Sequence, residues 1–155
     1  MLSLSIPGQE LLEIEHLVLD FNGTIGLDGK VIEGVKERLE KISQSLKIHV
    51  ITADTNGSVH QECANLPVEV YVIGKEKQDE EKERFIQGVN GLAIAIGNGV
   101  NDEKMFKSAS LAFALMGQEG ISTKSLLSSD IVFHHIHDAL DLVLKPNRLI
   151  ATLRK

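Results

Sequence analysis

The chain has 155 residues, 43% of them apolar and 25% charged, with 13 glycines and a net charge of −6. That length supports one domain over 1–155 with a single well-formed core, and the acidic balance argues against nucleic-acid or anionic-membrane partners, whose phosphates attract basic proteins. The single cysteine, Cys63, excludes an intrachain disulfide or a cysteine-based zinc site and suits a reducing, cytoplasmic setting. The first residues, Met1-Leu-Ser-Leu-Ser-Ile-Pro7, carry no basic lead or long apolar region, so no signal peptide is expected. No apolar run approaches the length needed to cross a bilayer.

Segments 2–6 and 11–14 alternate across Pro7-Gly8 and predict an antiparallel hairpin on a sheet edge. An apolar strand over 17–20 follows, then a turn at Asp28-Gly29 and a helix over 31–45. In that helix Val35, Leu39, Ile42 and Leu46 recur at helical spacing, giving one face for the sheet. The pattern continues as strand 48–52, helix 56–65, strand 68–73, helix 79–89, strand 92–96, helix 101–109 and strand 111–115. Gly120-Ile-Ser-Thr123 suits a helix cap after Gly117. A sixth strand over 131–133 precedes a helix around 137–144, which Pro146 and Asn147 end before a last helical turn or two over 148–154. Short apolar runs alternating with longer amphipathic stretches predict an α/β, three-layer, Rossmann-like fold with a central parallel sheet. The stretch from Asp20 to Thr52 is nearly filled by a turn and one helix, so no cap domain fits between them.

Two of the strands end in acidic, glycine-rich loops: His16-Leu-Val-Leu-Asp20-Phe-Asn-Gly-Thr24 and Ala95-Ile-Gly-Asn98-Gly-Val-Asn-Asp102. In a parallel α/β sheet such loops gather at the carboxyl ends of the strands, where ligands bind. Asp20 alone is equally consistent with a turn cap. Its neighbours Asn22, Gly23 and Thr24 add a carbonyl, a tight turn and a hydroxyl, a set suited to a divalent cation and a phosphoryl group.

Asp20-Phe-Asn-Gly-Thr24 resembles the first motif of the haloacid-dehalogenase-like superfamily, Ile51-Thr52-Ala-Asp54 its second, and Gly97-Asn98-Gly-Val-Asn-Asp102 its fourth. The versions are most similar to the phosphorylation domain of P-type ATPases, and the stretch 109–117, ending Ala-Phe-Ala-Leu-Met-Gly, is similar to the strand that follows there. The resemblance implies a Mg²⁺-dependent phosphatase or phosphotransfer hydrolase with Asp20 as the nucleophile that forms an aspartyl-phosphate. Asp20, the Asn22 carbonyl and Asn98 would serve the metal, with Asp102 holding the metal or its bound waters. Thr52 would hydrogen-bond the phosphoryl group, with Gly23, Thr24 and Ala53 around it, and a lysine would neutralise its charge. Lys75, Lys77 and Lys82 all precede the fourth motif; helical phase with Ile86 and Val89 favours Lys82, and Lys75, just after a strand, is second.

Two departures from the family pattern bear on the chemistry. Asn22 stands where most family phosphatases carry an acid that protonates the leaving group and activates water, and an amide does neither. The pumps also lack a carboxylate there, so the change implies slow hydrolysis rather than none. Asn98 stands where a metal-ligating aspartate is usual, so one negative charge is missing, with Asp102 and Asp54 as possible substitutes. The alternative is a catalytically degenerate protein acting as a binding or scaffold module. A pump function is excluded.

His134, His135 and His137 read as a surface turn rather than a metal site, and Cys63 as a small core residue. The basic stretch 148–155 reads as a packed terminal helix. Without a cap, the site must be closed by other means. The expectation is a phosphorylated substrate, small molecule or macromolecule, or a homo-oligomer meeting through the 2–14 segment and the terminal helix near Leu149.

Overall fold

The apolar run that ends at Asp20 forms the centre of the sheet. The computed structural model describes residues 1–54 and 57–155. In chain order it runs β1 (Leu2–Leu4), β2 (Leu12–Leu19), a small ribbon of β3 (Gly26–Leu27) and β4 (Lys30–Val31), α1 (Val35–Ile42), β5 (Lys47–Thr52), α2 (Val59–Glu62) and β6 (Glu69–Val72). Then follow α3 (Gln78–Gly88), β7 (Leu92–Gly97), a 3₁₀ turn (Val100–Asp102), α4 (Glu103–Ser108), β8 (Leu111–Leu115), α5 (Thr123–Leu127), β9 (Ile131–Phe133), α6 (Ile136–Leu144) and α7 (Pro146–Leu153). The main sheet has the order β6-β5-β2-β7-β8-β9, with all neighbours on this path parallel.

Strand alternation divides the core between two faces. Leu17, Leu19, Ile48, Val50, Ile94 and Ile96 pack with Val35, Leu39 and Ile42 of α1 and with Ile136, Ala139, Leu140 and Val143 of α6. On the opposite face Val18, Ile51, Ala93 and Ala95 meet Ile86 of α3 and Met105 and Phe106 of α4. The three-layer α/β expectation is therefore met, and β2 and β7 lie side by side, with the Asp20 amide donating to the Ile96 carbonyl at 3.0 Å. Among the described residues no helix is long and apolar enough to cross a membrane.

Several element boundaries differ from the expectation. Segment 11–14 does pair antiparallel with the first strand, Leu2↔Ile14 through Leu4↔Leu12. It is not an edge, because the chain continues without a break into the central strand and exchanges β1 for β5 as its neighbour at His16. The helix expected over 31–45 begins only at Val35: Val31 is held in the β3–β4 ribbon, and Gly34 takes a left-handed φ of 85° before the first turn. The helix expected over 56–65 is confined to Val59–Glu62, and its expected first residue, Asn56, lies outside the described residues. The helix expected over 101–109 opens as the 3₁₀ turn. Pro146 begins α7 rather than only ending α6, since its missing N–H is no loss in a first turn.

The segments expected to mediate self-association give part of their apolar surface to this chain's own core and leave part open, Leu11 being 58% exposed. Leu4, Ile6, Ile14 and Leu149 are all in the core, and Gln9 Nε2 donates to the Leu153 carbonyl at 2.9 Å. Cys63 is also buried there, and burial pushes its thiol up to about 11, well away from a reactive thiolate.

Candidate active site

The floor of the site is an ion triad. Asp20 emerges from β2, and its Oδ1 accepts from the Phe21 amide at 2.8 Å and lies 3.1 Å from Lys82 Nζ. Lys82 sits four residues before Ile86, so both point from α3 towards the sheet, and it is completely buried. Its ammonium donates to Asp102 Oδ1 at 2.8 Å and to Asn101 Oδ1 at 3.2 Å, so with Asp20 all three donors are matched. Asn101 is held in turn by Gln78, whose Oε1 accepts from Asn101 Nδ2 at 2.7 Å.

Two carboxylates share one ammonium, which leaves a buried excess of negative charge. Burial alone would lower the Lys82 pKa, but attraction to Asp102 and Asp20 holds it above the ordinary lysine value. Burial pushes the Asp20 carboxyl up to about 7; Lys82 opposes this and the Asp102 charge adds to it.

Asp102 also organises the loop that ends β7. Its Oδ2 accepts from the amides of Asn98 and Gly99, both at 3.0 Å. Any side chain at Gly97 would collide here, its Cβ falling 2.3 Å from Asp102 Oδ2. Both Asp102 oxygens thus serve Lys82 and the loop. From this position Asp102 holds Lys82 and the loop together beneath the expected metal position.

Above this floor, Asp20, Asn22, Thr52, Ala53, Asn98 and Glu119 line a cleft of about 220 Å³ together with Gln78, Gly99 and Asn101. Thr52 is buried at the end of β5, and its Oγ1 accepts from the Asp54 amide at 3.2 Å. Asn98 Nδ2 donates to the Gly120 carbonyl at 3.3 Å, which leaves its Oδ1 as the uncommitted end. Gly23, at φ 76°, lets the chain pass beneath Glu119 and Asn98; a Cβ there would stand 2.0 Å from Glu119 Oε2 and 2.6 Å from Asn98 Nδ2.

The residues around the cleft are oxygen-rich, with side-chain oxygens on Asp20, Asn22, Thr52, Asn98 and Glu119. That set fits a hard divalent cation, as does the excess negative charge beneath it. Among the described residues no group of three His, Cys, Asp or Glu side chains forms a metal cage, so amide, backbone and water oxygens would have to complete the coordination.

Other expected site residues lie elsewhere. Lys75 is exposed outside the cleft, its carbonyl accepting from Gln78 Nε2 at 3.0 Å, whereas Lys82 lies beneath the cleft against Asp20. Asp54 Oδ1 accepts from the amides of Ser58 and Val59, both at 3.1 Å, and so caps α2 instead of supplying the missing charge. Thr24 is fully buried and lines a neighbouring hollow of about 280 Å³ with Leu27, Ile32, Leu115, His134 and His135, not the cleft itself. In the histidine cluster, His135 Nδ1 accepts from the His137 amide at 3.1 Å and caps α6. Glu119 was not anticipated. It lies beyond the last motif, in a turn whose approach to Gly23 and Asn98 depends on the pairing of β7 with β8.

No protein-family model matches the sequence. The chain is 50% identical over 82 residues to the uncharacterized protein MJ0073 of Methanocaldococcus jannaschii, a match covering 53% of this chain and 86% of that protein. It is 23% identical over 126 residues to a soluble P-type ATPase-like phosphatase of the same organism, across 79% of this chain and 46% of that longer protein. Among solved structures, the cobalt-bound deoxy-D-mannose-octulosonate 8-phosphate phosphatase of Haemophilus influenzae matches with a TM-score of 0.70 at 12% identity, over 92% of this chain and 94% of its own. The chain therefore belongs to one family with MJ0073, and its fold is the one shared by the solved phosphatase structures it superposes on.

Proposed function

We propose that this chain is a slow Mg²⁺-dependent phosphatase or phosphotransfer hydrolase that works through an aspartyl-phosphate on Asp20. The observation that carries this reading is Lys82, buried and locked between Asp20 and Asp102 directly beneath an open, oxygen-lined cleft. A buried ion triad is a poor way to stabilise a fold, so its place beneath a cleft at the carboxyl ends of the strands supports a functional role. The likeness to a soluble phosphatase and to a cobalt-bound phosphatase supports phosphate chemistry with a divalent cation.

In this reading a carboxylate oxygen of Asp20 attacks phosphorus as the bond to the leaving oxygen breaks. Thr52 hydrogen-bonds a phosphoryl oxygen, and Lys82, held beneath by Asp20, Asp102 and Asn101, offsets the charge that builds there. The leaving oxygen takes its proton from solvent, because the Asn22 amide has none to give. Water then attacks the phosphorus of the aspartyl-phosphate, freeing inorganic phosphate and restoring the Asp20 carboxylate. Asp20, the Asn22 carbonyl and Asn98 would hold the cation, which when bound neutralises charge on the phosphoryl group and on Asp20. Without a group at position 22 to activate water, the second half is the slow one. Losing such a group typically costs about 10²–10⁴ in rate.

Phosphate release from a panel of phosphomonoesters and acyl phosphates, measured with Mg²⁺ against an Asp20→Asn control, tests this. Turnover that depends on Asp20 is expected, together with Asp20-dependent binding of Mg²⁺ with beryllofluoride, a mimic of the phosphorylated carboxylate. Equal turnover in both proteins and no beryllofluoride binding would refute it. The same panel names the substrate, and sedimentation equilibrium at micromolar concentration tests self-association.

A further inference from the structure

The fourth motif is one carboxylate short, because Asn98 stands where the family carries a metal-ligating aspartate. Folding brings a carboxylate to that gap from the adjacent strand. Glu119 lies in the turn after β8, closed by the Gly120 amide donating to the Gly117 carbonyl at 3.0 Å. Two hydrogen bonds fasten this turn to Asn98: Asn98 Nδ2 to the Gly120 carbonyl at 3.3 Å, and the Ser122 amide to the Asn98 carbonyl at 2.9 Å. Glu119 Oε2 leans over Gly23 beside the Asn98 amide, so close that a Cβ at Gly23 would meet both groups, at 2.0 and 2.6 Å. Among the described residues no lysine, arginine or histidine forms an ion pair with Glu119. A carboxylate held over Gly23, the residue after Asn22, and lining the same cleft as Asp20 is placed to serve a cation there.

We propose that Glu119 is a ligand of the divalent cation, directly or through a bound water, and restores the negative charge that Asn98 withholds. The inference rests on the reading that the cleft takes a divalent cation. It also gives Gly23 a reason beyond its backbone angle, since any side chain there would push Glu119 away from the site.

Calorimetric titration of the whole chain with Mg²⁺ and with Mn²⁺ tests this without reference to turnover. Glu119→Gln should weaken binding by about 10- to 100-fold, the usual cost of losing a group that supports a metal. The double variant Asn98→Asp, Glu119→Gln, which moves the charge back to the motif position, should recover most of that loss. Melting curves in EDTA should be unchanged for Glu119→Gln, because the side chain is exposed. If the parent binds a divalent cation and Glu119→Gln binds within twofold of it, the proposal is overturned while the cation reading stands. A double variant no tighter than Glu119→Gln overturns the claim of charge replacement. If the parent binds neither ion at millimolar concentration, the cation reading itself fails and this inference with it.

Discussion

The floor and the rim of the cleft are built on opposite principles. On the floor, Lys82, Asp20 and Asp102 are buried, each donor of the ammonium is matched, and Asp102 uses both its oxygens. On the rim, Asn22, Ala53 and Glu119 face an open cleft, with the buried Asn98 beside them at the end of β7. In the dry floor the loss of Lys82 leaves uncompensated charge, so chemistry and stability are coupled there. On the wet rim a changed side chain is resolvated, so chemistry can change with little effect on the fold. The difference teaches that Asn22 can be exchanged with little effect on the fold, whereas Lys82 cannot.

The harshest way to break the comparison is Lys82→Met. It leaves two buried carboxylates facing each other, and the loss should be about 3–5 kcal/mol in urea unfolding, with turnover abolished. A loss below about 1 kcal/mol would mean that the floor is hydrated and no different in kind from the rim. Asn22→Asp sharpens the other side. It supplies the missing acid and base and should raise phosphate release tenfold or more while moving the melting temperature by only a few degrees. A folded, Mg²⁺-binding variant no faster than its parent would show that position 22 does not limit the reaction.

A subtler effect is set by pH. Asp20 has its pKa pushed up to about 7 from an ordinary 3.8, so the folded chain holds a proton that the unfolded chain has released between these values. In EDTA, this group's contribution to stability is complete at pH 3, declines as pH rises, and is lost above pH 7. Asp20→Asn removes that slope. Its melting temperature should exceed the parent's by roughly 2–4 °C at pH 8, the shift of about 1 kcal/mol in a domain of this size, with no gain near pH 4. An equal shift at both pH values would show that the excess charge on the floor is not its source. The smallest effect is expected at Lys75→Ala, which should leave turnover within twofold; a large loss would move the third-motif assignment away from Lys82.

The parallel sheet was legible because its strands are local apolar runs that stop at turn residues, and those runs place Asp20, Thr52 and Asn98 at strand ends. Lys82 could be favoured over Lys75 from helix phase alone, since Ile86 four residues on marks the buried side of α3. Boundaries were harder wherever a long-range partner overrides local pattern. Val31 has the periodicity of a helix but the pairing of a ribbon, and the segment around Leu12 reads as a separate edge strand until β1, β5 and β7 are seen on either side of β2. Asp54 and Asp102 look alike in the sequence as acids at the ends of motifs. Their different duties, capping α2 and holding Lys82, follow from which amides each reaches.

What the sequence determined by itself was the order of the motifs, the fold class, and the two positions, Asn22 and Asn98, at which acid–base capacity and charge are missing. The fold class follows from short-range periodicity, and the motifs and their two departures follow from the family resemblance that those residues carry. Only the tertiary structure decided that Asp102 is fully engaged below the cleft, that Lys75 and Thr24 stand outside it, and that Glu119 comes to its edge. Each depends on contacts between segments far apart in the chain, made when strands pair and loops close, and side-chain direction there is set by packing that no local pattern records.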